Sequence, residues 1–362
     1  MDRKLKAGIW GAGNIAKTHA KALKEIGVEI VCVYDLIKEN AEEVRKIGNG
    51  NLATDNLEDL FNSNPDVIHL CVPANLHFPF LKEIIDRNIN FICEKPLVLD
   101  NEEGKKILKL FEEKNLLAST GFNIRYHGGI KSLKEEIKRE DTGDINFIHG
   151  VYLQEYHVLP TFYGWRYDEE KAGKMRAVTE IGSHIFDLIE YVCEKEIVGV
   201  SATFSYFNRY RKLDGDVMYK RDHKKGEDLE VKSEDASSIT LKFNDGTIGN
   251  IFLCEASPGR KNFLDLEIIC DNKTLKWNSE DINTIYIGKR NIGFTKITDP
   301  FGGGFSDSHI RLFTDFYEDV KKGKESTNSN YPKLIDGVRN VLITNAIYES
   351  RKNDSKWVYI NI

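Results

Sequence analysis

Through the first hundred residues, apolar strand-like runs alternate with amphipathic helix-like runs, and this alternation constrains the fold more than any other feature of the chain. "KAGIW" and "EIVCVYD" read as strands, with a helix expected between them from Asn14 to Ile26. "VIHLCV" follows, then a helical "FPFLKEIIDRN", the strand "NFIC", a helix from Asn101 to Lys114, and "LLASTGF". Strands separated by helices of this length form βαβ units and a parallel sheet. Their apolar character throughout fits strands covered on both faces. The pattern predicts an α/β Rossmann domain over residues 1–121.

The rhythm then changes. "NFIHGVYLQEYHV", "IVGVSATFSYF", "SSITLKFNDGTIGNIFLCEAS", "FLDLEIICDNKTLKWN" and "TIYIG" are longer alternating runs. "NDGT" between two of them is a hairpin signal, an Asp-Gly turn flanked by alternating hydrophobics. Residues 122–362 therefore read as an α+β domain on a large, mostly antiparallel open sheet, with one half-exposed face for binding or for subunit contact. Residues 208–232 are dense in charge of both signs and read as a solvated loop insertion. Two helices, about 307–322 and 332–351, and a short "KWVYI" strand close the chain.

Composition sets outer bounds. The 362 residues exceed one comfortable core. The formal charge of −6 argues against nucleic-acid binding, which rests on neutralising phosphates. No apolar run approaches the roughly 18 residues of a membrane span. After its short basic start the chain enters a strand with no secretory h-region or cleavage site. Cys32, Cys71, Cys93, Cys193, Cys254 and Cys270 form no CxxC pair, so reduced buried thiols and a cytoplasmic setting are expected. The nine histidines show no tight metal-ligand spacing, and no metal is expected.

"GIWGAGNIAK" places Gly11, Gly13 and Ala16 in a G-x-G-x-x-A turn between a strand and a helix opened by Asn14 and Ile15. The first glycine permits the tight turn, and the second admits a pyrophosphate close to the backbone. The small third residue lets helix and strand pack. Asp35 ends the second strand, about 20 residues on, where a carboxylate bonds ribose hydroxyls and repels a 2′-phosphate. NAD is thus the expected cofactor, with NADP as the alternative. In such a sheet the loop 70–78, with Cys71, Pro73, Asn75 and His77, lies beside the cofactor; Asn75 also reads as a helix cap. In "NFICEKPLVL" a core strand ends abruptly in Glu94, Lys95 and Pro96, which places Lys95 at the carboxyl edge of the sheet, where open α/β folds bind ligands. In "TEIGSHIFDLIEYV", Glu180, His184, Asp187 and Tyr191 share one helix face, opposite an apolar stripe of Ile185, Leu188, Ile189 and Val192.

Taken in order, G-x-G-x-x-A, the acid after the second strand, EKP and "EIGSHxxD" resemble the Gfo/Idh/MocA family of NAD(P)-dependent sugar and polyol oxidoreductases. "GFNIRYH", "GWRYD", "SEDASSITLKFNDGTIG" and "SHIRLFTDFYEDVKKGK" are similar to family segments in the same order. The resemblance implies that Lys95, His184 and Glu180 are the catalytic residues, Lys95 and His184 as the pair and Glu180 as a carboxylate standing where members carry Asp. It also implies that Glu94, Lys95, Asn123, Trp165 and Arg166 approach the nicotinamide end of the cofactor, while Asp187 is structural. The implied substrate is a sugar, glycoside or cyclitol, taken by a homodimer or homotetramer. An alternative using the same residues is a glycosidase or lyase working through transient sugar oxidation; a third is a non-catalytic NAD-binding regulator.

Overall fold

The computed structural model describes residues 3–299, 303–327 and 329–361. The chain divides into two compact units, residues 1–127 with 303–341, and residues 128–302 with 342–362.

The first unit is built on six strands, β1 (Lys6–Trp10), β2 (Glu29–Tyr34), β3 (Leu52–Thr54), β4 (Val67–Leu70), β5 (Asn90–Cys93) and β6 (Ala118–Thr120). They pair in parallel in the order β3-β2-β1-β4-β5-β6. This is a doubly wound sheet whose strand order reverses between β1 and β4. Its strands are almost wholly buried, as continuous apolar runs require. The helix Asn14–Glu25 buries Ala16, Ala20 and Leu23 in a core that also takes Phe313, Phe316 and Tyr317. Those three belong to the helix Phe305–Lys322, so this late segment completes the first unit. The division at residue 121 read from sequence differs here because an amphipathic helix does not say which sheet it will cover.

The second unit carries a nine-stranded sheet. Its members are β7 (Ile145–Leu153), β9 (Ile197–Ser205), β13 (Ala236–Phe243), β14 (Ile248–Cys254), β15 (Phe263–Cys270), β16 (Thr274–Asn278), β17 (Thr284–Lys289), β18 (Gly293–Thr298) and β19 (Val358–Tyr359). Their order is β18-β17-β16-β15-β7-β14-β13-β9-β19, and only β7 with β14 pairs in parallel. The NDGT turn joins β13 to β14, with Gly246 at φ +93°. The helix Ser183–Cys193 lies close against the sheet because two glycines leave room. A Cβ on Gly150 would stand 2.6 Å from Ile185 Cδ1, and one on Gly182 would stand 2.7 Å from Leu253 Cδ1.

Residues 208–232 are not the solvated loop expected from their charge. They form β10 (Tyr210–Asp214), β11 (Val217–Lys220) and β12 (Glu227–Glu230), which with β8 (Thr161–Phe162) make a small antiparallel sheet. The charges decorate short strands, and one of them, Arg211, is buried against Asp235 at 3.0 Å. Alternation over four or five residues is hidden when polar side chains occupy both faces.

Candidate functional site

The switch point of the first sheet is held open by one glycine and left open by another. Gly11 has φ +93°, and a Cβ there would sit 2.8 Å from the carbonyl oxygen of Cys71. Both the conformation and the space require glycine. Gly13 has an ordinary φ of −73°, and a Cβ there would meet nothing within 4 Å. Internal packing therefore does not demand the second glycine; an approaching group would. The helix behind it has no side-chain cap and no acid in its first turn, so its first amides face outward for an anion. Exposed Asn14 and half-buried Ile15 open that helix.

Asp35 Oδ2 accepts a hydrogen bond from the amide of Ala12 at 2.7 Å, and Oδ1 accepts one from the amide of Ile37 at 2.9 Å. The carboxylate thus braces the glycine turn while each oxygen keeps acceptor capacity for a ribose hydroxyl. Leu36 is 81% exposed beside it, an apolar surface free for a base. These residues fit a dinucleotide.

The loop after β4 is pinned from below. Cys71 is buried and Pro73 half-buried, while Asn75 is exposed in the short turn Ala74–Leu76. Asn75 is not the cap of the next helix, whose N-cap position is Leu76 with no side-chain bond. His77 is 1% exposed, and its ring faces the carbonyls of Pro96 (2.9 Å), Leu97 (3.1 Å) and Val72 (3.0 Å). Its ring joins the β4 and β5 loops instead of reaching outward.

Lys95 is half-buried at the end of β5, and its peptide with Pro96 is cis. Glu94 turns into the core, where Oε1 meets His19 Nε2 at 3.0 Å and the backbone of Gly121 packs against the carboxylate. Burial pushes this carboxyl up, but the His19 bond and the charges of His309 and Lys95 outweigh it, leaving it below the usual range. Buried Asn123 donates to Ser308 Oγ at 2.7 Å.

In the second unit the chain from Val178 to Gly182 forms a π-helical turn before the helix Ser183–Cys193. Such turns re-aim side chains and recur at functional sites. Buried Glu234 anchors it, accepting from the amides of Arg176 and Val178. Burial nevertheless raises the Glu234 carboxyl to about 6. Glu180 Oε2 accepts from Arg166 Nε at 3.1 Å, and the guanidinium lies 4.7 Å over the Trp165 ring. His184 follows on the next turn, half-buried, and Asp187 is buried. The expected apolar stripe of Ile185, Leu188, Ile189 and Val192 is fully buried.

Two constellations escaped sequence reasoning. One is a buried line through His19, His69 and Tyr317 beneath Glu94. The other joins Arg176 to Asp235 at 2.6 Å and to Tyr167 at 2.8 Å, with Tyr167 meeting His157 at 2.6 Å. Only an unusual histidine inside an apolar strand, "VIHLCV", signalled the first; nothing signalled the second. The six cysteines are all free and buried, and the described residues hold neither a metal-ligand cluster nor a helix able to cross a membrane.

Residues 5–122 match the profile described as the oxidoreductase family with an NAD-binding Rossmann fold, and residues 130–276 match the GFO/IDH/MocA C-terminal domain. The chain belongs to the GFO/IDH/MocA oxidoreductase family. Among curated members, levoglucosan dehydrogenase of Pseudarthrobacter phenanthrenivorans is 24% identical over 98% of this chain and 97% of its own. Glucose-6-phosphate 3-dehydrogenase of Bacillus subtilis is 26% identical over 76% of this chain and 74% of its own. A solved structure of levoglucosan dehydrogenase in complex with NADH and L-sorbose shares the fold, with a TM-score of 0.88 and 22% identity over 99% of each chain. The family's cofactor is the one the glycine turn and Asp35 fit.

The two glycines should part company on substitution. Gly11→Ala is expected to cost about 1–3 kcal/mol of stability through strain and contact with backbone. Gly13→Ala should leave stability within about 0.5 kcal/mol yet weaken NAD binding tenfold or more, since the added methyl occupies the approach to the turn. Urea unfolding and NAD titration of both variants measure this; a normal NAD affinity in Gly13→Ala would refute it.

A second outcome concerns acid. Burial holds His69 and His77 below the ordinary imidazole range. Burial, aided by Arg311, lowers His127 to about 4, and burial with Arg176 lowers His157 to about 2. His127 and His157 are neutral in the fold at pH 5, and His69 and His77 take up a proton less readily in the fold than in the unfolded chain. Unfolding returns them to an ordinary pKa near 6.5, so the unfolded chain binds more protons and stability falls as pH drops below that value. Each contributes a slope of up to about 1.4 kcal/mol per pH unit until its folded pKa is reached. Urea midpoints between pH 7 and 5 should decline steeply, before ordinary carboxylates titrate; a flat profile there contradicts the reading.

Proposed function

We propose that this protein is an NAD-dependent dehydrogenase that oxidises a secondary hydroxyl of a sugar, glycoside or cyclitol. The observation that carries the reading is Lys95, a cation fixed at the carboxyl end of β5 directly after buried Glu94, on the sheet whose switch point bears the open glycine turn. Bound there, NAD supplies the acceptor for the hydride. Lys95 would hydrogen-bond the substrate hydroxyl and stabilise the developing alkoxide. His184, as neutral imidazole, would take the hydroxyl proton. Glu180 holds Arg166 against Trp165; by the family pattern this pair, and separately Asn123, would contact the cofactor near its nicotinamide. Asp35 would favour NAD over NADP, because a carboxylate at the end of the second strand would repel a 2′-phosphate. The names of the relatives support a carbohydrate or cyclitol substrate. Six buried free thiols support a reducing compartment such as the cytoplasm.

Replacing Lys95 by Ala should lower turnover by about a hundred- to a thousandfold, the worth of one preorganised donor. Replacing His184 by Ala should lower it by about a hundred- to ten-thousandfold. NAD affinity should change little in either variant. NADH formation over a panel of sugars and cyclitols reads both, and full activity in His184→Ala would sink the mechanism.

The open face of the nine-stranded sheet carries Phe252 and Ile269, 40% and 37% exposed, and this supports a symmetric dimer or tetramer. Light scattering at micromolar concentration should give a multiple of the 41.4 kDa chain mass. The monomer mass would overturn this.

A further inference from the structure

Beneath Glu94 runs an unbroken line of buried polar groups. Glu94 Oε1 meets His19 Nε2 at 3.0 Å, His19 Nδ1 meets His69 Nδ1 at 2.9 Å, and His69 Nε2 meets the Tyr317 hydroxyl at 2.9 Å. Both histidines have no exposure, and Tyr317 has 4%. Phe313 packs edge-on against each imidazole at 4.8 Å, closing the line from water. His69 occupies a central strand where apolar side chains are the rule, so its burial needs a compensating partner at each nitrogen.

The chemistry of the groups assigns the protons. An ionised carboxylate only accepts, so His19 must carry its proton on Nε2. A neutral His19 then presents a lone pair at Nδ1, which His69 fills with an Nδ1–H. His69 in turn accepts at Nε2, and the Tyr317 hydroxyl donates there. With His19 neutral, one arrangement satisfies every member, and in it all donors point the same way; a protonated His19 would instead donate from Nδ1 and reverse both His69 bonds. Other groups near the line do not reverse it. Cys71 Sγ is 3.5 Å from His19 Nδ1, farther and weaker than His69, and burial keeps this thiol protonated. The His309 ring lies 6.0 Å from that of His19, and Asp66 acts on Tyr317, whose phenol burial holds protonated.

We propose that Tyr317, His69 and His19 form a one-way hydrogen-bond chain that ends on Glu94 and fixes its carboxylate as the anion adjoining Lys95. His19 and His69 are positioning residues in this scheme. The chain acts through Glu94, whose carboxylate attracts the lysine cation. A charge that stabilises an alkoxide is useful only if it is held in place. The value of the chain to catalysis rests on the oxidoreductase reading above; its proton arrangement does not.

The test separates the two. Histidine-selective ¹⁵N labelling of the full chain and two-bond ¹H–¹⁵N spectra at neutral pH, assigned with single His→Gln variants, report the protonated nitrogen of each ring. The expected result is Nδ1–H at His69 and Nε2–H at His19. Nε2–H at His69, or a doubly protonated ring at either position, overturns the proposal. In turnover, His19→Gln retains a donor and an acceptor and should stay near the parent, whereas His19→Leu should lose about tenfold or more. Where the parent turns over, equal turnover in the two variants also overturns it. If the parent oxidises no sugar while the ring protons lie as assigned, the chain stands and the substrate reading fails.

Discussion

A main-chain carbonyl, that of Cys71, lies where the side chain of residue 11 would otherwise be. This contact brings the glycine turn after β1 against the end of β4 and sets the spacing of the switch point. The rest of the first unit follows from it. The turn reaches back to Tyr34 through the amide of Gly11 at 2.8 Å, and Asp35 holds the next amide. The helix that begins there lays its alanines on the sheet, which puts His19 within reach of both β4 and β5. A single backbone approach thus fixes the anion-binding end of the helix and the buried underside of Lys95's loop together.

The second unit solves a different problem, how to bring a polar helix face close to a flat sheet. Gly150 and Gly182 remove the side chains that would hold the helix away, and buried Glu234 ties down the π-helical turn that precedes it. The cost is a buried carboxyl whose proton affinity is raised by its own desolvation. The arginines nearby do not float in this interior. Arg176 and Arg211 share Asp235, and their ion pairs convert the charge-rich 208–232 segment into an ordered part of the unit. Such pairs contribute less to stability than to fixing one arrangement among several, which suits a segment that borders the Trp165–Arg166 loop.

How much of this was legible depended on the length scale of the signal. Strands such as "EIVCVYD" and "NFIC", the hairpin at NDGT and the helix around His184 were readable because each spans enough residues to show its period. β3, with three residues, and the short strands of the 208–232 segment were not. Gly11, Gly13 and Asp35 were readable because a dinucleotide site is local in sequence. The His19–His69–Tyr317 line was not, because its members are 50 and 248 residues apart. His77 and Asn75 show the intermediate case: the loop was found, but which side chains point outward depends on partners in the β5 loop.

The discontinuous build of the first unit bears on its birth at the ribosome. Its opening 127 residues emerge first, but the helix bearing Phe313, Phe316 and Tyr317 follows only after residues 128–302 have been made. At about 5–20 residues per second, that delay is on the order of ten to thirty-five seconds. Throughout it the nascent nucleotide-binding half lacks one wall of its core, and His69 lacks the phenol that answers its Nε2. The half-built sheet therefore stays unsealed until the chain returns to close it.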